Sequence, residues 1–389
     1  MQACRRAIVI GLMSFWMWPL PAQAGGPGSG SFAGDGGPAT EARLNNPRGI
    51  VLDRAGNLYI ADSSNDRVRR VDKSTGVITT VIGSGERGFA GDEGPARLAN
   101  LYFPHGLALD DSGSLYIADA GNHRIRKWDA KTGTVTTVAG TGQPRFYGNG
   151  GAATDAGLFA PRGVALDGKG NLYVADTQHS CIRKVDRDGI MTMAAGSDPG
   201  LVSKGAAPKF LWHPVGVAVG PDGEIYWADA DLNRIKKADP NRIDPKTQSG
   251  WITIVAGSEE MGFSGDGGPA RNAKLEAPAA VAFDSKGNLY IADHNNGRIR
   301  RVDAKTGSMT TFAGNGKRGF SGDEGPAQEA GLNAPDGIAF DAEDNLYIAD
   351  AGNHRIRRVD AATGIITTIA GSGPIDEGPP KGPVQEFFI

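Results

Sequence analysis

The sequence contains an internal repeat, which limits the possible folds more than any other feature. The motif Tyr-Ile-Ala-Asp, or a close variant, ends at six aspartates separated by 57, 57, 53, 64 and 57 residues: Asp62, Asp119, Asp176, Asp229, Asp293 and Asp350. Repeats of this length indicate a solenoid, a propeller or an array, in which each copy buries its apolar faces against its neighbours.

Each copy contains four short apolar segments separated by turn residues. In the second copy these segments are residues 106–110, 114–119, 124–129 and 134–139. The Asp, Asn and Gly residues between them favour tight hairpins, so each copy predicts a four-stranded antiparallel meander. Segments 49–53 and 58–61 are apolar at nearly every position, as expected of strands covered on both faces. We therefore predict an all-β, six-bladed β-propeller rather than an open solenoid, whose coils rarely hold four antiparallel strands.

Long connectors rich in Gly, Asp and Pro lie between the predicted blades. The segment Gly34-Asp-Gly-Gly-Pro-Ala39 recurs in similar form at residues 91–96, 148–153, 265–270 and 322–327. Its Asp-Gly pairs could suggest calcium, but the dense oxygen spacing of a calcium loop is missing, so we favour a packed turn. Connector 28–47 precedes the first blade, and no such connector follows the sixth blade. It is therefore predicted to close the ring between blades six and one.

The N-terminal segment has the pattern of a secretory signal peptide. Arg5 and Arg6 precede an apolar stretch at residues 7–18, and Ala22-Gln23-Ala24 follows. The stretch is shorter than the roughly 20 residues of a membrane-spanning helix, although an uncleaved anchor is the alternative. We expect a signal peptide at 1–24, a propeller at 25–373 and a Pro/Gly-rich tail at 374–389. The mature protein would then lack a transmembrane segment and be periplasmic, secreted or at the cell surface.

A resemblance to a known family is carried by the segment after the repeated aspartate. Residues 119–125 and 350–356 both read Asp-Ala-Gly-Asn-His-Arg-Ile, which resembles the NHL repeat, and all six copies are similar to it. The connectors are similar to those of exported bacterial NHL proteins and of the teneurin NHL domain. The resemblance implies a propeller, whereas the family's functions include adhesion, sensing, RNA binding and a few lyase activities.

We expect a monomeric module that binds a protein or small ligand. The formal charge of −3 argues against nucleic acid.

Several repeated polar residues are predicted to be structural. The aspartate, the Asn three residues on and the Arg five residues on recur, for example, as Asp293, Asn296 and Arg298. We expect them to organise the second hairpin and to support the adjacent blade. His123 and His354 lie in near-identical repeats, so they too are predicted to be structural.

A ligand site is predicted where the repeats differ. In a propeller the first strand of each blade lines the central channel, so the residue after each connector proline should lie near its mouth. Those six residues are Arg48, His105, Arg162, Val215, Ala279 and Asp336. The charged and imidazole side chains among them, with His294 beside them, could bind a carboxylate, for which arginine supplies planar donors. The alternative is a solvated funnel that contains an Arg–Asp pair.

An enzyme is the second hypothesis. Peptide-amidating lyases and streptogramin lyases place histidines after such prolines, but only Pro104-His105 has that form here. One histidine cannot form a three-histidine zinc site. Gluconolactonase-like propellers begin with a Glu-Gly-Pro that the first blade lacks. We expect no cofactor, with a divalent ion such as Ca²⁺ or Zn²⁺ as the alternative. A lyase or lactone hydrolase would use His105, Arg162 and Asp336.

Blade four departs from the repeat. Its connector lacks the Gly-Asp-Gly-Gly pattern, and its third hairpin is lengthened at residues 239–250. Trp212, His213 and Trp251 are predicted to form a partner surface, because exposed aromatic residues can mark binding faces. Trp227 is on a predicted strand, where packing in the core is the alternative.

Overall fold

The computed structural model describes residues 32–196, 213–244, 249–258 and 260–373. The predicted signal peptide 1–24 and tail 374–389 lie outside these residues. Within the described residues, no helix is long and apolar enough to cross a membrane.

The described chain forms six antiparallel sheets, which confirms the predicted six-bladed β-propeller. Each blade contains four strands that are consecutive in sequence and hydrogen-bonded in that order. Blades one to three contain β1–β12: Pro47–Leu52, Leu58–Asp62, Arg67–Val71, Ile78–Ile82; Pro104–Leu109, Leu115–Asp119, Arg124–Trp128, Val135–Ala139; Gly163–Leu166, Leu172–Asp176, Cys181–Val185, Met191–Ala195. Blades four to six contain β13–β20 and β22–β25: Pro214–Val219, Ile225–Asp229, Arg234–Asp244, Ser249–Ala256; Ala280–Phe283, Leu289–Asp293, Arg298–Val302, Met309–Ala313; Pro335–Phe340, Leu346–Asp350, Arg355–Val359, Ile365–Ala370.

The hydrophobic core lies between blades rather than within them. Ile50 and Ile60 of blade one, for example, belong to the same buried cluster as Ala349 and Ile356 of blade six. The five other clusters likewise join neighbouring blades. This arrangement explains the continuous apolar character of the second strands, which are covered on both faces.

The connectors cover the outer edges of the blades. Pro38 of the first connector forms a bridge with Val77, the residue before β4, and Pro95 forms one with Thr134, the residue before β8. In blade six the corresponding segment is a short fifth strand, Gly325–Pro326 (β21), paired with β25. Unpaired edge strands invite pairing with other chains, so these segments protect the outer strand of each blade that they cover.

The segment before β1 lies between blades six and one. The Gly371 N–H donates to the Ala39 carbonyl at 2.9 Å, and the Ser372 N–H donates to the Ala42 carbonyl at 2.9 Å. The Ala42 and Leu44 side chains are fully or almost fully buried in the core between these blades. No strand is exchanged between blades at this seam.

The repeated aspartate organises the second hairpin, as expected. In blade five the Asp293 carboxylate accepts hydrogen bonds from the Glu276 N–H at 2.8 Å and the Asn296 side chain at 2.9 Å. Its arginine partner, however, is Arg300, seven residues on, at 3.3 Å. Arg298, the arginine five residues on, donates to the Asn296 carbonyl of the second hairpin at 2.9 Å, as expected. It also donates to the Asn315 carbonyl at 2.9 Å and stacks on Phe263 of the connector, which the prediction did not include. The arginine five residues on therefore fixes the connector.

The second arginine explains the Gly-Asp motif of the connectors. Arg300 is completely buried and also pairs with Asp266 of the connector at 2.7 Å. The same double pairing occurs in blades one, two and six, in which Arg69, Arg126 and Arg357 bind the connector residues Asp35, Asp92 and Asp323. In these four connectors the carboxylate that suggested calcium binds a guanidinium group.

His123 and His354 make contacts between blades. Nδ1 of His354 accepts a hydrogen bond from the Asn46 N–H at 3.1 Å, and Nδ1 of His123 accepts one from the Ala160 N–H at 3.1 Å. Each histidine therefore links its own blade to the residue that precedes the connector proline of the next blade. The His354 contact joins blade six to blade one.

Candidate functional site

The residues that follow the connector prolines form the mouth of the central channel. We call Arg48, His105, Arg162, Val215, Ala279 and Asp336 the mouth ring. Beneath this ring the first strands approach one another backbone to backbone. A methyl group added at Gly49 would overlap the His105 carbonyl oxygen, and one at Gly337 would overlap the Arg48 carbonyl oxygen. Glycine at these positions therefore permits the close approach that constricts the channel below the mouth.

An ion pair crosses the seam in the mouth ring. Nη1 of Arg48 lies 2.7 Å from Oδ2 of Asp336, in side chains that are 18% and 4% exposed. The Arg48 guanidinium also stacks on the Phe103 ring, with its central carbon 5.2 Å from the ring centre. Burial opposes ionisation of Asp336, but Arg48 and the other basic groups of the mouth outweigh it and lower the pKa of Asp336. This carboxylate is therefore ionised.

His105 is buried beside this ion pair and has an unused ring nitrogen. Its Nε2 has no hydrogen-bond partner among the described residues and lies 3.9 Å from Oδ1 of Asp336. Burial, helped by repulsion from Arg48 and Arg162 and opposed by Asp336, lowers the pKa of His105 to about 3. The imidazole is therefore neutral at physiological pH.

Arg162 is the second cation of the mouth ring. Its guanidinium makes no hydrogen bond or ion pair with the residues that the structure describes. Burial and repulsion from Arg48 lower the pKa of Arg162 to about 10, although Asp336 and Asp231 oppose this shift. Arg162 remains charged at neutral pH. Its planar donors are thus available to a ligand.

His294 joins the cluster from the second hairpin of blade five. Its Nδ1 lies 3.2 Å from the Pro335 carbonyl oxygen and 3.8 Å from Oδ2 of Asp336. The carbonyl contact assigns the ring proton to Nδ1, which leaves Nε2 as an acceptor. Burial lowers the pKa of His294, so this imidazole is also neutral.

The structure thus brings together the four polar residues of the mouth ring and His294. It also adds Asp231, which the sequence analysis missed, through its electrostatic interaction with Arg162. Asp231 stands two residues after the repeated aspartate of blade four, where the other blades have Ser, Gly, Gln or Asn. Variation at this position was the signal that could have identified it. No group of three or more His, Cys, Asp or Glu side chains in the described regions is placed to hold a metal ion.

Of the three residues of the predicted partner surface in blade four, the structure describes His213 and Trp251 and places them at the inner and outer strands of the sheet. His213 is next to β13, the innermost strand, and its Nδ1 contacts Asp231. Trp251 is 51% exposed on β16, the outermost strand, and stacks with Arg242. Two strands separate β13 from β16, so the two residues are more than 10 Å apart. Trp212 lies outside the described residues, and Trp227 is completely buried in the core.

A pocket of about 630 Å³ lies between blades three and four, at the opposite ends of their strands from the mouth. It is lined in part by the lengthened third hairpin of blade four, which the sequence analysis had singled out. Asp167 and Asp222 line it as well, but each accepts hydrogen bonds within its own blade, from Asn171 and Tyr226 respectively. These two carboxylates therefore organise hairpins. None of the predicted site residues lines this pocket.

Together, the fold and the mouth ring define a six-bladed propeller in which similar repeats surround a ring of non-identical residues, four of them polar. The teneurin NHL domain model matches residues 22–89, 142–205 and 306–383, more than half of the chain. The NHL repeat model matches residues 101–128 and 275–302. The chain therefore belongs to the NHL-repeat family, with repeats of the teneurin NHL type.

Individual relatives agree with this assignment. The chain is 31% identical over 296 residues to Protein SUPPRESSOR OF QUENCHING 1, chloroplastic, of Arabidopsis thaliana, with 72% of this chain and 27% of that protein covered. It is 30% identical over 363 residues to mouse teneurin-3, with 83% and 13% covered. The chain thus spans about a quarter or less of these relatives.

Solved structures share the fold at lower identity. A Bacteroides thetaiotaomicron structural genomics protein of unknown function superposes with a TM-score of 0.60 at 20% identity, covering 84% of this chain and 72% of that one. An auxiliary nutrient binding protein from Bacteroides ovatus gives a TM-score of 0.59 at 17% identity, covering 84% and 70%.

Proposed function

We propose that this protein is a binding module whose ligand site is the channel mouth. The observation that carries the proposal is that the partly buried Arg162 guanidinium makes no hydrogen bond with the described residues and that the buried His105 Nε2 has no partner among them, at positions where the blades differ in sequence. Buried polar groups without partners are costly, so a ligand that supplied the missing partners at the mouth would bind favourably there. The constriction below the ring favours capture at the mouth over passage through the channel.

The contrast with the rest of the fold supports this proposal. The repeated aspartates and the terminal nitrogens of the buried arginines bind one another or the connectors, whereas the Nε atom of each of these arginines has no partner among the described residues. In the mouth ring, by comparison, Asp336 is the single carboxylate and faces two arginines. One solved protein of similar fold is named an auxiliary nutrient binding protein. That likeness is one of fold, whereas the mouth residues carry the proposal for this chain.

A panel of small molecules tests this function. Thermal shifts would be measured with sugars, amines, amino acids, organic acids and nucleotides on the wild type and on an Arg162→Gln/His105→Gln variant. Arg301→Gln is the matched control, because Arg301 is a half-exposed arginine on β19, far from the mouth. We expect compounds that stabilise the wild type and the control but not the mouth variant. Equal responses of all three proteins, or no response, would contradict the proposal.

Catalysis is the alternative reading of the same residues. His105, Arg162 and Asp336 would then serve a lyase or lactone hydrolase assisted by a divalent ion. Metal analysis of the purified protein before and after treatment with chelator distinguishes the two functions. Ligand capture that survives the chelator supports binding, whereas a stoichiometric ion lost together with turnover supports the enzyme.

We also propose that the protein is exported, on the signal-peptide pattern of residues 1–24. Expression of the full chain in a bacterium, followed by mass analysis of the protein from each cell fraction, tests this. We expect a chain that starts at Gly25 and lies outside the cytoplasm. A full-length chain confined to the cytoplasm would contradict export without affecting the binding proposal.

A further inference from the structure

The mouth ring is divided into a charged arc and an apolar arc. Asp336, Arg48, His105 and Arg162 belong to blades six, one, two and three, which are neighbours. Val215 and Ala279 complete the ring in blades four and five and are 5% and 6% exposed. Because the repeats place equivalent positions in the same orientation, these two apolar side chains occupy the remaining third of the ring.

The charged arc has a small net positive charge. Arg48 and Arg162 each contribute one positive charge, Asp336 contributes one negative charge, and both histidines are neutral. A monoanion would neutralise the four ring residues themselves, and Asp231, which acts on Arg162 from outside the ring, adds a negative charge beside them. A dianion would leave excess negative charge close to Asp336 and Asp231 in a partly desolvated site, which is unfavourable.

The hydrogen-bond donors of the charged arc indicate which anionic group would fit. The Arg162 guanidinium offers parallel N–H groups, a geometry that matches the two oxygens of a carboxylate. Arg48 is already engaged by Asp336 and by Phe103, which leaves Arg162 as the anchoring cation. His105 stands between the two arginines in the order of the blades, so its free Nε2 lies on the charged side of the ring.

Resting on the binding function proposed above, we infer that the ligand is a small amphipathic carboxylate. Its carboxylate pairs with Arg162, and its apolar part covers Val215 and Ala279. The apolar contact is what distinguishes this class from simple inorganic anions. A sugar without a carboxylate can accept hydrogen bonds from Arg162 through its hydroxyl groups, but it lacks the negative charge and the two coplanar oxygens that match the guanidinium.

Matched pairs of compounds test this inference. Isothermal titration calorimetry would compare butanoate, hexanoate, benzoate and phenylacetate with their primary amides, with acetate and with inorganic phosphate. We expect at least one of the larger carboxylates to bind about tenfold more tightly than its amide, since an Arg–carboxylate pair is a strong charge-assisted bond. Acetate and phosphate should bind more weakly than that carboxylate. Equal affinity for acid and amide, or a preference for phosphate, would overturn the inference.

Substitutions assign the two ends of the ligand. Arg162→Gln should weaken the best carboxylate by at least about tenfold, whereas Arg301→Gln should leave it unchanged. Val215→Ala should weaken the larger carboxylates and leave acetate unaffected. Arg162→Lys keeps the positive charge but lacks the two parallel N–H donors of the guanidinium, so we expect it to retain part of the affinity for the carboxylate. It serves as a second variant if Arg162→Gln folds poorly. An affinity for the carboxylate that is unchanged in both Arg162 variants would refute the assignment.

Failure of this inference differs from failure of the binding function. If the broader panel yields a neutral or cationic ligand that responds to substitutions in the mouth ring, the binding function stands and the carboxylate class is wrong. If no compound in either set responds to those substitutions, both proposals fail.

Discussion

At the scale of single residues, each repeated aspartate holds several elements together. Asp293 fixes the residue at the end of its connector, the asparagine of its hairpin and the buried Arg300. Burial raises the pKa of Asp62, Asp119, Asp293 and Asp350 to about 6, even though hydrogen bonds and arginines oppose the shift. Ionisation of these groups in the core thus depends on their partners.

Blade four shows how the arginine and the connector depend on each other. It carries Lys236 at the position of Arg300, with Nζ 2.7 Å from Asp229, and its connector lacks the Gly-Asp pattern. A lysine offers one compact cation, whereas an arginine can bind two carboxylates at once. The doubly paired arginine therefore occurs with the connector aspartate in blades one, two, five and six.

Replacing Arg300 by lysine tests this reasoning. We expect Arg300→Lys to lower the free energy of unfolding by about 2 kcal/mol, because bonds to Asp266 and to backbone carbonyls are lost. Arg301→Lys on the same strand, at a half-exposed ion pair, should change it by less than about 0.5 kcal/mol. Urea unfolding of both variants provides the measurement. Equal losses of unfolding free energy would contradict the double pairing of Arg300 as a source of stability.

The buried, neutral His105 predicts a dependence of stability on pH. Between about pH 6.5 and 3 the unfolded chain binds a proton at this histidine and the folded chain does not. Stability therefore rises with pH across this window and falls on acidification, by up to about 1.4 kcal/mol per pH unit. Urea unfolding at pH 7, 5 and 4 should show a smaller acid loss for His105→Gln than for the wild type.

An independent readout avoids comparing variants. In the wild type, the His105 ring proton signal should show no titration between pH 5 and 8 in NMR spectra. A midpoint near 6.5, or identical acid losses for the wild type and His105→Gln, would mean that the imidazole is solvated and not part of a buried site.

At the scale of elements, the connectors combine three roles. They cover the outer strand of a blade, bring an aspartate to the buried arginine, and bring a phenylalanine under the arginine five residues after the repeated aspartate. The sequence predicted packed connectors because the motif recurs. It could not predict the partner of each carboxylate, because Asp266 and Arg300 are 34 residues apart and meet only after folding.

The first connector gives a prediction for the seam. A chain beginning at residue 46 loses Leu44, Ala42, the Phe32–Arg67 stacking and the Asp35–Arg69 pair. We expect this truncation to cost on the order of 5 kcal/mol, because it exposes apolar surface at about 25 cal/mol per Å². A chain beginning at residue 32 is the control and should keep full stability. Equal melting temperatures for the two chains would refute this role of the connector.

At the scale of the whole molecule, ring closure creates a site that no single blade contains. The repeat period predicted six blades and thereby the identity of the mouth ring, because equivalent positions must meet around the axis. An Arg–Asp pair in the ring was foreseen as the alternative to a ligand site, and the structure contains one between Arg48 and Asp336. Which of the two arginines would form it was not predictable, since that depends on side-chain distances across the ring. Asp231 and Phe103 were missed for the same reason, as their importance comes from neighbours in other blades.

The Arg48–Asp336 pair provides the most direct test of the account, since it joins residues 288 positions apart across the seam. The measurement is a double-mutant cycle, in which Arg48→Ala, Asp336→Ala and the double variant are unfolded in urea. The closed ring predicts a coupling energy of about 1–3 kcal/mol between the two residues. Additive effects, with a coupling within about 0.3 kcal/mol of zero, would contradict both the closed ring and the mouth that depends on it.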